Sequence, residues 1–269
     1  MIEPLGKFNP LSGYLIDIEG VLVRDKRYLP IPGSVEWLNH LADGETPFCL
    51  VSNNTTDRPQ DLIAKLNEVG FQLEIKHLVG VLELAVQWLR VREKKRILWL
   101  GSPQLTDFWV EEGFVPNSIE DCQTVVLGVN PRLEVADMDQ ALGPLLEQGA
   151  DLLCLHRNSF YLDGKGRRRL GPGAWAGAFE ALGGDGQVVT VGKPDEKIYK
   201  EALKRLGILP EKALFVSDDP VADLVTAGRM GMRTAFVLSG KYPDHAVLGR
   251  LDQEDWPDIV CSCPADMDI

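Results

Sequence analysis

The stretch Tyr14-Leu15-Ile16-Asp17-Ile18-Glu19-Gly20-Val21-Leu22 begins as an apolar run and breaks at once into two acids and a glycine. An apolar run that does not alternate is what a strand buried on both faces of a parallel sheet requires. The pattern recurs outward from it, at Phe48–Val51, Ile97–Leu100, Val125–Val129, Leu152–Leu155, Val188–Val191, Leu214–Val216 and Ala235–Leu238. Helical periodicity fills the gaps. Asp57 and Pro59 open a helix whose apolar face is Leu62, Ile63, Leu66 and Val69, and Gly70 ends it. Pro194 and Asp195 open another, carrying Ile198, Ala202 and Leu206 on one face and stopping at Gly207. Strand and helix in alternation predict an α/β fold with a parallel sheet and right-handed crossovers.

Ligands in such sheets bind beyond the carboxyl ends of the strands, so the polar residues that follow each apolar run are the ones to inspect. Asp17-Ile18-Glu19-Gly20 follows the first run, and Ser52-Asn53-Asn54 follows Phe48–Val51. Gly192-Lys193-Pro194 follows Val188–Val191, and Ser217-Asp218-Asp219, with Asp223 beyond, follows Leu214–Val216. Each alone reads as a turn, a cap or an exposed helix start. Together they make one chemistry. A strand-end carboxylate, Asp17, can attack phosphorus and form an aspartyl-phosphate. An acid two residues on, Glu19, can protonate the leaving oxygen and later activate water. Gly20 leaves room for backbone to approach a ligand. Ser52 and the nearby Asn53 and Asn54 can bind phosphoryl oxygens, and Lys193 can neutralise their charge. Asp17 and Asp218 supply hard oxygen ligands for Mg²⁺, which relieves repulsion between two anions.

With these four segments the chain resembles the haloacid dehalogenase superfamily, in its class IIA, p-nitrophenyl phosphatase-like branch. Phe160-Tyr161, Leu170-Gly171-Pro172-Gly173 and Val191-Gly192-Lys193-Pro194 are most similar to the group of phospholysine phosphohistidine inorganic pyrophosphate phosphatases. The resemblance implies a Rossmann-like core with an inserted α/β cap of the C2 type. It implies Asp17 as nucleophile, and a Mg²⁺ site drawn from Asp17, the Glu19 carbonyl and Asp218, with Asp223 supporting it. It implies a Mg²⁺-dependent phosphatase acting on a small phosphorylated substrate. The superfamily usually has Asp where this chain has Glu19, so the alternative is a catalytically impaired phosphate-binding or regulatory protein. The resemblance leaves the oligomeric state open, with a homodimer through the cap as one arrangement relatives adopt.

The stretch from Gly80 to Gly184 has its own strand and helix alternation, too much for a loop. The expected division is therefore 1–79 plus 185–269 for the core and 80–184 for the cap. Helices are expected at Gln104–Glu112, Asp137–Gln148 and Gly173–Leu182. His156 and Arg157, at the end of Leu152–Leu155, are candidates for contact with the substrate. A hairpin is expected around Asp163-Gly164, with Lys165 and Arg167-Arg168-Arg169 as a solvated basic tip.

Composition bounds the rest. The chain has 269 residues, 45% of them hydrophobic and 25% charged, as in a globular protein. Its 28 Lys and Arg against 40 Asp and Glu leave a net charge of −12. Such a surface repels nucleic acid. No apolar run is long enough to span a membrane. The acidic start, Met1-Ile2-Glu3-Pro4, lacks the layout of a signal peptide. Cys49 and Cys154 lie in apolar runs and read as core, Cys261 and Cys263 as incidental, and the set favours a reducing, cytoplasmic setting. Trp37, Trp88, Trp99, Trp109 and Trp175 read as core.

Overall fold

A computed structural model describes residues 11–24, 27–44, 46–163 and 167–267. The termini, Gly164 and Lys165 lie outside the described residues. In chain order the strands are β1 (Gly13–Ile16), β2 (Val23–Arg24), β3 (Leu29–Pro30), β4 (Phe48–Ser52), β5 (Leu78–Gly80), β6 (Ile97–Leu100) and β7 (Thr124–Leu127). They continue as β8 (Asp151–Cys154), β9 (Phe160–Leu162), β10 (Arg168–Leu170), β11 (Val188–Thr190), β12 (Ala213–Ser217), β13 (Arg233–Val237) and β14 (Ile259–Cys261). The helices are α1 (Ser34–Asp43), α2 (Pro59–Glu68), α3 (Val81–Val91), α4 (Thr106–Glu111), α5 (Val135–Asp139), α6 (Leu142–Leu146), α7 (Pro172–Leu182), α8 (Glu196–Leu206) and α9 (Val225–Arg229).

The chain forms two compact units, one of residues 1–52, 62–79 and 196–269, the other of 53–61 and 80–195. The first holds a six-stranded sheet ordered β14-β13-β12-β1-β4-β5. β1 is parallel to both its neighbours, with Ile16 opposite Val216 of β12 and Leu50 of β4. Side chains alternate between two faces. One face, with Tyr14, Ile16, Phe48, Leu50, Leu214 and Val216, packs on Trp37, Leu38 and Leu41 of α1 and Leu62, Ile63 and Leu66 of α2. Phe215, on the other face, meets Tyr199 of α8 edge to face at 5.4 Å between ring centroids. Both faces are thus covered, which is why these strands read as unbroken apolar runs. Each buried Leu, Ile or Phe contributes roughly 1.5–3 kcal/mol.

The second unit holds a four-stranded parallel sheet ordered β11-β8-β7-β6. Leu98, Leu100, Val125, Leu127, Leu152 and Cys154 form its core with Met138, Ala141, Leu145, Ala176 and Phe179. The Trp99 and Trp109 rings lie 5.3 Å apart, tilted by 58°. Trp37, Trp88, Trp99 and Trp109 are all buried, and all five cysteines are free thiols.

The chain returns to the first unit later than the sequence indicates. Val188–Thr190 pairs in register with Leu152–Cys154, so β11 belongs to the second sheet and the return comes after Asp195. Residues 53–61 also belong to the second unit. The expected helix over Asp137–Gln148 is two short helices, α5 and α6. Pro144 lacks the N–H that a continuous helix needs there and sits instead in the first turn of α6, where none is required. The hairpin expected around Asp163 is β9 paired antiparallel with β10. Arg167 and Arg169 both pair with Asp163, and Arg168 lies over the Phe160 ring. No helix among the described residues is long and apolar enough to cross a membrane.

Candidate active site

The strand order places β1 at a switch point, with β4 to one side and β12 to the other. At such a point the carboxyl ends leave a crevice for ligands. β1 runs directly into Asp17, whose backbone N–H donates to the Val216 carbonyl at 2.9 Å and adds one row to the ladder. The Asp17 Oδ1 accepts the Ile18 N–H at 2.8 Å, which orients the carboxylate. A tight turn follows. The Leu22 and Val23 N–H groups donate to the Ile18 carbonyl at 2.9 and 3.1 Å, and the Gly20 N–H donates to the Val23 carbonyl at 2.8 Å. This turn holds Glu19, half-buried, two residues beyond Asp17. Ser52, buried, ends the neighbouring β4.

β12 ends at Ser217 and delivers Asp218 and Asp219, and one turn of π-helix, Pro220–Leu224, delivers Asp223. All three acids are buried. Asp219 caps that turn, with Oδ1 accepting the Ala222 N–H at 3.0 Å, and its Oδ2 binds Lys241 Nζ at 2.5 Å. Asp223 Oδ2 accepts the Ser217 hydroxyl at 2.6 Å, and the Asp223 carbonyl accepts the Tyr199 hydroxyl at 3.0 Å. Asp218 Oδ2 accepts the Lys241 N–H at 2.6 Å. Gly20 has a φ of +85°, and a Cβ there would lie 1.9 Å from Asp218 Oδ2. The space that Gly20 was expected to leave for a ligand is thus filled by the Asp218 carboxylate.

Burial, then the Asp17 carboxylate, pushes the Asp218 carboxyl well above the usual carboxylate range, with Asp219 and Asp223 adding to it and the Lys241 N–H opposing. Burial works against the Lys241 ammonium, but Asp219 more than offsets it and raises its pKa. Burial, with Asp223, Asp17 and Asp219, also holds the Tyr199 hydroxyl well above its ordinary value. Among the described residues no three His, Cys, Asp or Glu side chains gather as a metal cage. Magnesium asks for less, since it keeps several waters and takes one or two carboxylates. The donor chemistry fits. Asp17 and Asp218 are hard oxygen donors in a buried acidic cluster, and a divalent cation would relieve the repulsion between them. Asp223, expected to support the site, engages the Ser217 hydroxyl through Oδ2.

Lys193 belongs to the second unit and is buried. Its backbone is clamped there by Asn53, whose Oδ1 accepts the Lys193 N–H at 2.9 Å and whose Nδ2 donates to the Lys193 carbonyl at 3.1 Å. Asn54 Oδ1 accepts the Thr56 and Asp57 N–H groups, both at 2.9 Å, and its Nδ2 donates to Asp57. Of these two residues expected on the substrate, Asn53 thus binds the Lys193 backbone and Asn54 shapes the turn after β4. His156, expected on the substrate, is buried just beyond the carboxyl end of β8.

Arg157, also expected on the substrate, is committed within the second unit. Its guanidinium binds Glu180 with two hydrogen bonds, at 3.0 and 2.5 Å, and Thr190 Oγ1 at 2.9 Å. The hydrogen bond from Arg157 holds the Glu180 carboxyl below its ordinary value. A carboxyl whose pKa falls on folding stabilises the fold above its unfolded-state pKa and loses that contribution as pH drops through the folded-state one. Arg157→Gln is therefore expected to cost about 1 kcal/mol at neutral pH, discounted for partial exposure, and less in acid. Denaturant unfolding at both pH values checks this, and equal stability of parent and variant at neutral pH would contradict it.

Sequence reasoning passed over Ser239, Gly240, Lys241 and Tyr199. The first three directly follow the apolar run Ala235–Leu238, so the rule that found the other strand ends applies to them too. Tyr199 carries no such signal, because it is one apolar position of a helix.

Residues 14–115 match the model of a family described as haloacid dehalogenase-like hydrolase, and residues 190–263 match a second, HAD-hydrolase-like, model. The human haloacid dehalogenase-like hydrolase domain-containing protein 2 is 30% identical over 234 residues, 86% of each chain. The chain belongs to the haloacid dehalogenase-like hydrolases. Human phospholysine phosphohistidine inorganic pyrophosphate phosphatase is a more distant relative of this hydrolase, 26% identical over 90% of this chain and 88% of its own length. Among solved structures, p-nitrophenyl phosphatase from Archaeoglobus fulgidus has the same fold, with a TM-score of 0.83, 24% identity and coverage of 96% of this chain and 98% of its own. NagD from E. coli matches with a TM-score of 0.80 at 22% identity, covering 97% of this hydrolase and 99% of its own chain. The class IIA resemblance read from the motifs agrees with these matches.

Proposed function

We propose that this hydrolase is a magnesium-dependent phosphatase that cleaves a small phosphomonoester, or a related phosphoryl compound, through an aspartyl-phosphate on Asp17. The observation that carries the reading is Asp17 at the end of the central strand, beside the buried Asp218 cluster. The names of the relatives, phosphatases among them, support it.

In this mechanism an Asp17 carboxylate oxygen attacks phosphorus and the bond to the leaving oxygen breaks. Glu19, as the acid, gives that oxygen its proton. Water then attacks the phosphorus of the aspartyl-phosphate, Glu19 takes the water's proton, and the bond to Asp17 breaks to release inorganic phosphate. Ser52 donates to phosphoryl oxygens. Lys193 answers their charge. Asp17, the Glu19 carbonyl and Asp218 would hold magnesium, which supplies positive charge that lets an anionic nucleophile approach an anionic substrate.

The second unit is proposed as the cap that selects the substrate, and a homodimer through it is proposed with it. A cytoplasmic setting is proposed from the free thiols. The test is release of phosphate from p-nitrophenyl phosphate with and without magnesium, with Asp17→Asn as the blank. Asp218→Ala should raise the magnesium concentration for half-maximal rate beyond the ~10–100-fold that follows loss of a mere supporting group. Full activity in excess chelator would refute the metal.

A further inference from the structure

Two backbone segments far apart in the chain close on the Asp218 carboxylate. One is the turn at Gly20, and the other is Ser239-Gly240-Lys241, the loop after β13. A Cβ on Gly240 would lie 2.0 Å from Asp218 Oδ2 and 2.5 Å from the Gly20 Cα. Gly240 is not among the residues with positive φ, so its backbone would accept alanine and only the space forbids it. Ser239 Oγ donates to the Gly20 carbonyl at 2.7 Å and ties the two segments together. The Lys241 N–H engages Asp218 Oδ2, and Lys241 Nζ engages the adjoining Asp219. Every residue of the loop thus bears on Asp218 directly or through one neighbour. The bond to Oδ2 also distinguishes the two carboxylate oxygens and leaves Oδ1 to other partners.

We propose that Ser239-Gly240-Lys241 is the positioning segment for Asp218, holding Oδ2 so that Oδ1 is the oxygen offered to a divalent cation. This rests on the reading of Asp218 as a magnesium ligand. The loop is a positioning segment, bonded to Asp218 by the Lys241 N–H and to its neighbours Gly20 and Asp219 by side chains. Groups that orient metal ligands in this way typically account for about 10–100-fold in metal affinity. Alanine at Gly240 deletes no charge and no hydrogen-bonding group, so what it changes is where the Asp218 carboxylate and the Gly20 turn against it can sit.

The experiment is calorimetric titration of magnesium chloride into the full chain without substrate, beside circular dichroism and thermal unfolding. Gly240→Ala is expected to weaken magnesium binding by about 10–100-fold while the fold is kept. Ser239→Ala is expected to weaken it in the same direction, by less. Gly249→Ala, where an added methyl meets nothing within 4 Å, is expected to keep the parent Kd. A folded Gly240→Ala with the parent Kd overturns the proposal. If that variant does not fold, a folded Ser239→Ala with the parent Kd overturns it instead. A shift in Gly249→Ala as large as that in Gly240→Ala overturns it as well, and so does a parent chain that takes up no magnesium. A parent that binds magnesium but releases no phosphate refutes the phosphatase reading alone, and the shift in Kd then still supports the positioning role.

Discussion

Asp17→Asn is expected to lower phosphate release by on the order of 10⁴-fold or more, the scale on which removal of a covalent nucleophile acts. That is about 5 kcal/mol of transition-state stabilisation at roughly 1.4 kcal/mol per factor of ten. Asparagine has nearly the shape of aspartate, and its amide oxygen can still accept the Ile18 N–H that Asp17 Oδ1 accepts at 2.8 Å. The fold should therefore survive. Asparagine has no carboxylate to attack phosphorus, so the covalent step has no substitute in the chain. Turnover is measured with p-nitrophenyl phosphate in saturating magnesium, and folding by thermal unfolding. A folded variant with near-parental turnover would refute the aspartyl-phosphate.

Glu19→Gln is expected to slow hydrolysis of an alkyl phosphate by roughly 10²–10⁴-fold, the range for general acid–base catalysis. Glutamine keeps the length and the backbone carbonyl of Glu19 but can neither give nor take the catalytic proton. Magnesium binding should hold, since the carbonyl rather than the side chain is the proposed ligand. An aryl phosphate should show a smaller loss, because p-nitrophenolate leaves with little protonation. Glu19→Asp should equal or exceed the parent. A carboxylate misplaced by ~1 Å can cost about 100-fold, and glutamate has one methylene more than the aspartate usual in the superfamily. The tight turn from Ile18 to Val23 sets where either side chain starts. An alkyl phosphate cleaved by Glu19→Gln at the parental rate would remove Glu19 from the chemistry and favour a chain that binds phosphate without turnover.

The fold was legible where burial is symmetrical. β1, β4, β6 and β12 are buried along their whole length, and each is plain in the sequence as an unbroken apolar run. β14 was not read, because an edge strand of three half-buried residues leaves no pattern long enough to count. β5 was hidden differently: Leu78–Gly80 runs directly into the apolar start of α3, and no polar residue marks the boundary. The place of β11 is ambiguous in the sequence for a third reason. Its residues are strand-like in either unit, and only its pairing with β8 assigns it.

The α/β class and the chemical identity of the strand-end residues Asp17, Glu19, Ser52, Lys193 and Asp218 follow from the linear order of residues. Both are local properties: burial on two faces sets the run, and the next residue in the chain is the one at the strand's carboxyl end. What each side chain touches was decided by the tertiary structure alone. The Asn53 amide on the Lys193 backbone, Arg157 on Glu180 and Ser239 on Gly20 join positions 140, 23 and 219 residues apart. The Asp218 carboxylate fills the space at Gly20 and Gly240 because parallel pairing sets β12 between β1 and β13. Such contacts follow from the register and order of strands, and the order of residues along the chain does not contain them.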